Sequence, residues 1–219
     1  MIDVFEASKV AFVLWLLVGI VVGSIALYQT RQFNVYKEII KAATSSYTLI
    51  VYFLFLIVVI FSLNINTYFS GDDFTWFRWA ADCKLQASCH SPFSTIYHYF
   101  FNSDGFFYRP GTKSYFLLMY PLFWLNQVVY HAVSIGLHFI VVVLLYFLSR
   151  KIFKNNLLAA ASSFAFLFAS GYLEVVLWIA STGDLFNAIF MLLSLFAFIK
   201  WYESKKILYL VLSIISSLS

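Results

Sequence analysis

Residues 68–110 read YFSGDDFTWFRWAADCKLQASCHSPFSTIYHYFFNSDGFFYRP, the only long polar interval between the apolar runs of this chain. The interval carries four of the ten acidic residues and both cysteines. The apolar runs on either side approach the roughly 20 residues that a helix needs to cross a bilayer. This pattern predicts membrane-spanning helices that flank one large polar loop, residues 66–111.

The composition favours an integral membrane protein. Hydrophobic residues make up 63% of the 219 residues and charged residues 11%, whereas a soluble domain carries about 25% charged residues. The apolar runs are long and do not alternate with polar residues, which argues against strands. We therefore predict an all-α fold, a multi-pass transmembrane helical bundle with the lipid bilayer as its partner. No nucleic-acid partner is expected, because the basic residues lie in short clusters beside apolar runs.

The apolar runs place the predicted spans within a single transmembrane domain, residues 1–219. An uncharged run at 115–149 is too long for one span, and Pro121 and Asn126-Gln127 divide it into a short surface helix at 112–126 and a span. A signal peptide is the alternative for the first apolar run, residues 10–28, although the residues before it are acidic rather than basic. The predicted spans are 10–28, 48–65, 128–149, 157–173, 185–201 and an incomplete 207–219.

The charges predict one topology for these spans. Segments 31–41, 150–154 and 200–206 hold nine of the 14 Lys and Arg residues but only two acidic residues. By the positive-inside rule these segments face the cytoplasm, so the loop 66–111 and the segment 174–184 face out. The ionisable groups that this topology gathers on the outer face are Asp72, Asp73, Arg109, Glu174 and Asp184.

Two clusters in the outer loop could carry chemistry. A carboxylate of the Asp72-Asp73 pair can act as a general base if a substrate hydroxyl reaches it, but such a pair is also a common cap at a helix start. Arg109 and Lys113 flank Pro110, and Arg is suited to grip a phosphate with two hydrogen bonds. Both side chains could equally extend along the bilayer surface to the headgroups.

The histidines and cysteines give weaker signals. His131 and His138 lie seven residues apart on one helix face, about 10 Å along the axis, which is too far to share one metal ion. They are expected to face the bundle interior. Cys83 and Cys89 predict a disulfide if the outer face is oxidising, and no zinc-binding pattern is present.

Taken together, these elements resemble the GT-C glycosyltransferases, in particular the dolichyl- or polyprenyl-phosphate-mannose-dependent protein O-mannosyltransferase superfamily with its tetratricopeptide-bearing and bacterial members. The resemblance covers roughly residues 50–219 and rests on four elements in the order of that family. They are Asp72-Asp73, Tyr108-Arg109-Pro110, Tyr130-His131 with His138 seven residues on, and Glu174-Val175-Val176 with Asp184-Leu185 ten residues on.

The sequence also departs from the family pattern at three points. Ser134 stands where the family often has Asn, Ala169-Ser170 replaces a His-Pro, and Thr182 replaces an Arg. Members of the family continue with further spans. The resemblance therefore implies that this chain is the amino-terminal part of a longer enzyme or the product of a truncated gene, with an outer catalytic loop that contains short surface helices.

The resemblance implies an inverting transfer of a sugar from a polyprenyl-phosphate donor to a hydroxyl of a protein or glycan acceptor. Asp72 by preference is the base, Arg109 and more weakly Lys113 hold the phosphate, and Asp73, His131, Glu174 and Asp184 line the site. No cofactor or metal is required, although two close carboxylates could hold a divalent ion. The location implied is the plasma or inner membrane, or the endoplasmic reticulum membrane in a eukaryotic cell. The alternative is a non-catalytic membrane protein, such as a transporter segment or assembly subunit, or an inactive fragment of the transferase.

Overall fold

The computed structural model describes residues 19–20, 42–85 and 109–217, and all regular structure within them is helical. The all-α prediction is therefore confirmed for this part of the chain. The chain divides into two units, Met1–Leu49 and Ile50–Ser219. Most of the predicted span 10–28, the whole basic segment 31–41 and the loop residues 86–108 lie outside the described residues.

Eight α-helices and two 3-10 turns have described bounds. A turn at Ser62–Asn64 follows the first helix, and a turn at Ile179–Ser181 precedes the seventh. The helices are α1 Ser46–Phe61, α2 Gly71–Leu85, α3 Pro110–Phe123, α4 Gln127–Phe153, α5 Asn156–Leu167, α6 Ser170–Leu177, α7 Thr182–Ser204 and α8 Ile207–Ser217.

Most helices follow the predicted apolar runs. The surface helix expected at 112–126 is α3, and the predicted loop 66–111 contains the helix α2. The run at 157–173 is not one helix, because α5 ends at Leu167 and Ala169 takes an extended conformation (φ −65°, ψ 119°) before α6. The break falls just before Ser170-Gly171, where two poor helix formers follow each other.

Helix α4 is the centre of the packing. Ring contacts at Phe53–Tyr146 (6.1 Å between centroids) and Phe61–His138 (5.8 Å) show that α1 runs antiparallel to α4. Helix α5 turns back along α4, and Phe166 stacks on His138 at 5.7 Å. Helices α4 and α7 run parallel, since Lys151 and Glu203 near their carboxyl ends form an ion pair at 2.8 Å.

This arrangement gives the unit two chemically different ends. The starts of α2, α3, α4 and α7 meet at one end, which we call the polar end. It carries Asp72, Asp73, Arg109, Lys113, His131 and Asp184. The carboxyl ends of α4 and α7 form the basic end, which carries Arg150, Lys151, Lys154, Lys200, Lys205 and Lys206.

Two described helical segments are long and apolar enough to cross a membrane, Gln127–Phe153 and Ile179–Ser204. Within the most apolar 18 residues of each segment, 39% and 11% respectively are buried inside the protein. A core helix of a soluble protein would bury most of these side chains. The exposed apolar surface therefore favours contact with lipid. Three further helices are apolar but shorter: Ser46–Phe61, Asn156–Leu167 and Ile207–Ser217.

An aromatic cluster holds α2 and α3 at the polar end. Trp76 stacks on Phe116 with centroids 5.9 Å apart, and Phe77 meets Tyr130 edge to face at 5.2 Å. Phe69, in the segment before α2, contacts Phe77 at 4.7 Å. These rings are buried, so the start of α2, with its two carboxylates, is fixed in position by the core beneath it.

Candidate active site at the polar end

The two neighbouring carboxylates have different surroundings. Asp72 is exposed in the first turn of α2. Asp73 is only 1% exposed. Its Oδ2 accepts a hydrogen bond from the backbone N–H of Ser70 at 2.9 Å, and its Oδ1 accepts one from the N–H of Ala180 at 2.7 Å. Asp73 therefore caps its own helix and also joins α2 to the turn before α7.

Burial governs the charge of Asp73. Removal of the carboxyl from water raises its pKa above the ordinary value of 3.8, and the hydrogen bonds from Ser70 and Ala180 oppose that effect. The charge of nearby His131 opposes it as well. Since desolvation outweighs these partners, the ionised form of Asp73 is less stable here than it would be in water.

Two side chains of α4 bind the segment before α2 and the end of α6. His131 Nε2 donates to the carbonyl of Thr67 at 2.8 Å, because a carbonyl can only accept. Ser134 Oγ donates to the carbonyl of Val176 at 2.8 Å. His131 is buried, and its Nδ1 has no hydrogen-bond partner among the described residues. These two side chains hold the segment before α2 and the end of α6 against the same stretch of α4.

Helices α3 and α7 begin in close contact. A Cβ added to Gly183 would clash with Thr112 Oγ1, and a Cβ on Gly111 would lie 3.6 Å from the Phe186 side chain. Thr112 is 1% exposed, and its hydroxyl has no hydrogen-bond partner in the described part of the chain. The absence of a side chain at Gly183 is thus what lets the two helix starts approach each other.

A polar cleft of about 230 Å³ opens at this junction. It is lined by Arg109, Pro110, Gly111, Thr112, Gly183, Asp184 and Asn187. A cation and a carboxylate from distant parts of the sequence thus face one space, beside the starts of two helices. The N–H groups at a helix start carry partial positive charge and favour an anion.

The predicted site residues divide into two groups. Arg109 and Asp184 line the cleft together. Neither Asp72 nor Asp73 is among the described residues that line it. Asp73 accepts a hydrogen bond from Ala180, whose Cα atom is at most about 15 Å from that of Asp184. Lys113 is buried, and its Nζ lies 6.0 Å from the centroid of the Trp79 ring. Glu174 is exposed on α6 and is not among the described residues that line the cleft.

Four lining residues were not anticipated from the sequence: Gly111, Thr112, Gly183 and Asn187. Each lies within three residues of a predicted one: Gly111 and Thr112 follow Arg109-Pro110, Gly183 precedes Asp184, and Asn187 follows Asp184 by one turn. Small residues beside a helix start could have indicated a close approach. The identity of the helix that approaches depends on the tertiary fold, which the local sequence does not specify.

Several sequence predictions stay predictions. Cys83 lies near the end of α2 and Cys89 lies outside the described residues, as does Tyr108.

His138 is fully buried between Phe61 and Phe166, on the interior face that was expected. Within residues 42–85 and 109–217, no three His, Cys, Asp or Glu side chains gather in a group that could hold a metal ion.

Comparison of the chain with protein-family models, with curated protein sequences and with solved structures gives no match. The resemblance to the O-mannosyltransferase superfamily therefore rests on the motifs in the sequence. The geometry of the polar end is independent of that resemblance.

Proposed function

We propose that the protein is a multi-pass membrane glycosyltransferase of the GT-C type, which moves a sugar from a polyprenyl-phosphate donor to a hydroxyl acceptor. The observation that carries the proposal is the cleft shared by Arg109 and Asp184 at the polar end. Asp72 does not line this cleft, but it is exposed at the start of α2, which the hydrogen bond of its buried neighbour Asp73 to Ala180 joins to the turn before α7. A cation, carboxylates and two helix starts are a suitable combination for a phosphorylated sugar.

Arg109 is the residue to hold the phosphate of the donor. It precedes Pro110 at the start of α3, where the helix dipole and the unpaired N–H groups add to the attraction for an anion. A guanidinium binds two phosphate oxygens at once. Asp184 and Asn187, on the opposite wall of the cleft, would bind hydroxyls of the sugar.

Asp72 is the base that takes the proton of the acceptor hydroxyl. Asp73 is less suited to this role, because both of its carboxylate oxygens already accept hydrogen bonds from backbone N–H groups. The acceptor oxygen forms a bond to the anomeric carbon of the sugar as the bond to the phosphate oxygen breaks. The lipid phosphate leaves with the electron pair, next to Arg109.

We infer the membrane placement from the charges at the two ends of the fold. The basic end would face the cytoplasm and the polar end would face out. The apolar helices between them would lie in the bilayer. A donor whose polyprenyl chain lies in the membrane would then present its phosphate at the level of the polar end.

One observation favours the alternative of a non-catalytic membrane protein. The carboxylate of Asp73 points at backbone N–H groups, as expected for a structural cap. In that alternative the polar end would fix the outer segments in place and bind no donor. Measuring how Arg109 affects donor binding distinguishes the two functions.

The test uses the full chain in lipid nanodiscs with a labelled polyprenyl-phosphate sugar. The Arg109→Gln variant is expected to bind this donor about 10- to 100-fold more weakly, since it loses hydrogen bonds between charged groups. Lys206→Gln, at the opposite end, is the control and should bind as the wild type does. Donor binding that is absent in the wild type, or unchanged in Arg109→Gln, would reject the assignment.

A further inference from the structure

A second cleft lies at the basic end, far from the proposed donor site along α4 and α7. It is a groove of about 550 Å³ lined by Leu144, Phe147, Arg150, Lys151, Leu193 and Phe196. Its volume lies in the range of ligand-sized clefts, about 300–1,000 Å³. Four of its six lining residues are apolar and two are basic.

The apolar and basic residues are ordered along the groove. Helix α4 contributes a stripe at helical spacing that covers about 10 Å of its axis, formed by Leu144, Phe147 and Lys151. Leu193 and Phe196 provide the facing stripe on α7. The apolar residues therefore lie toward the middle of the helices, and Arg150 and Lys151 lie where α4 ends.

The surrounding charge is positive. Segments 150–154 and 200–206 contain six basic residues and one acid, Glu203, so their net charge is +5. Glu203 pairs with Lys151 at 2.8 Å, but the Glu203 side chain is 54% exposed, and such an exposed pair is weak. The basic end therefore retains a strong preference for an anionic group, next to an apolar channel.

We propose that this groove binds one anionic phospholipid of the membrane leaflet at the basic end. An acyl chain lies between Leu144 and Phe147 of α4 and Leu193 and Phe196 of α7. The headgroup phosphate is held by Arg150 and Lys151. The proposal rests on the membrane placement given above and is independent of sugar transfer. A zwitterionic lipid fits less well, because the cationic part of its headgroup would face the same basic residues.

Native mass spectrometry of the full chain in detergent tests this binding. The lipids are phosphatidylglycerol and phosphatidylcholine with identical acyl chains. Wild-type protein is expected to retain one phosphatidylglycerol in preference to phosphatidylcholine. Arg150→Gln and Lys151→Gln should each weaken phosphatidylglycerol binding about fivefold, the effect of one basic residue near a lipid surface.

Matched controls separate the groove from the general charge of this end. Lys206→Gln removes a charge outside the groove and should weaken binding much less than Arg150→Gln does. Leu193→Trp narrows the groove and should weaken binding, whereas Leu195→Trp, similarly exposed on the same helix but outside the groove, should not. A size-exclusion profile like that of the wild type checks that each variant is folded.

Three outcomes would overturn the proposal. The first is equal retention of the two lipids. The second is a loss of binding in Lys206→Gln as large as in Arg150→Gln, which would indicate diffuse charge attraction. The third is a stable wild-type dimer that becomes monomeric in Leu193→Trp while lipid binding stays unchanged. The groove would then be a contact between two copies of the chain.

Discussion

Asp72 and Asp73 show how strongly one position in a helix turn changes the environment of a side chain. Asp72 is exposed, whereas Asp73 is buried and accepts hydrogen bonds from Ser70 and Ala180. The sequence offered a catalytic base and a helix cap as alternatives for this pair. Asp73 is not the residue before the helix but the third residue of α2, where it accepts the N–H of Ser70. This structural role leaves Asp72 as the candidate base.

Replacement of Asp73 by Ala should destabilise the protein. The buried N–H of Ala180 would lose its acceptor, and an unsatisfied buried donor costs about 1–3 kcal/mol. Thermal unfolding in detergent measures the loss. Asp72→Ala, at an exposed position, should change the free energy of unfolding by less than about 0.5 kcal/mol. Equal effects of the two substitutions would contradict the structural role of Asp73.

The raised pKa of Asp73 predicts a pH dependence. Between its ordinary value of 3.8 and its higher value in the folded state, the folded protein binds more protons than the unfolded chain. Stability contributed by this group is therefore present below pH 3.8 and is lost as the pH rises through the folded pKa. Relative to Asp73→Asn, the wild type should become more stable as the pH falls toward 4. A constant difference between the two proteins across this range would refute the raised pKa.

At the scale of elements, the junction of α3 and α7 determines the shape of the cleft. Gly183 allows the contact, and Thr112 fills the space that a Cβ would need. The two helix starts bring Arg109 and Asp184 to one cleft although 75 positions separate them in the sequence. A substitution at Gly183 should therefore have an effect on stability that depends on the residue at position 112.

Gly183→Ala should destabilise the protein by about 1–3 kcal/mol, because it overfills a packed site. Thr112→Ala removes the hydroxyl that would clash, and that hydroxyl has no partner among the described residues, so its loss should cost less. The double variant should recover most of the stability. A double-mutant cycle from unfolding curves measures the coupling, and strictly additive effects would show that the two residues do not touch.

The helices were predictable where the apolar pattern is long and its ends are marked. The span expected at 128–149 corresponds to Gln127–Phe153, and the surface helix at 112–126 to Pro110–Phe123. The break at Ala169 was not predicted, because the hydrophobicity of the run continues through it. The contact of Asp73 with Ala180 joins residues 107 positions apart, and no local pattern contains that information.

At the scale of the whole molecule, charge is segregated between the ends of the second unit. The ion pair of Lys151 with Glu203 joins two segments that were assigned to one side from their charge alone. The bonds of Asp73, His131 and Ser134 gather the segments assigned to the other side. Segments that the sequence assigns to one side thus lie together in the described part of the chain, and the side of the membrane that each group faces stays a prediction.

Labelling of single cysteines in intact cells tests this topology. In a variant with Cys83 and Cys89 replaced by Ala, Tyr68→Cys should react with a membrane-impermeant reagent from outside. Ile152→Cys should react only after the cells are permeabilised. Both side chains are well exposed on the protein, at 62% and 58%. The opposite pattern of labelling would invert the topology and move the proposed site to the cytoplasmic face.

The most direct test of the central claim is the rate of sugar transfer from polyprenyl phosphate by the Asp72→Asn variant. A positioned general base contributes about 10²- to 10⁴-fold to a rate. The variant should therefore lose at least about 100-fold in turnover, while it binds the labelled donor as tightly as the wild type does. Transfer by Asp72→Asn at the wild-type rate would contradict the account, and the polar end would then be a structural anchor rather than a catalytic centre.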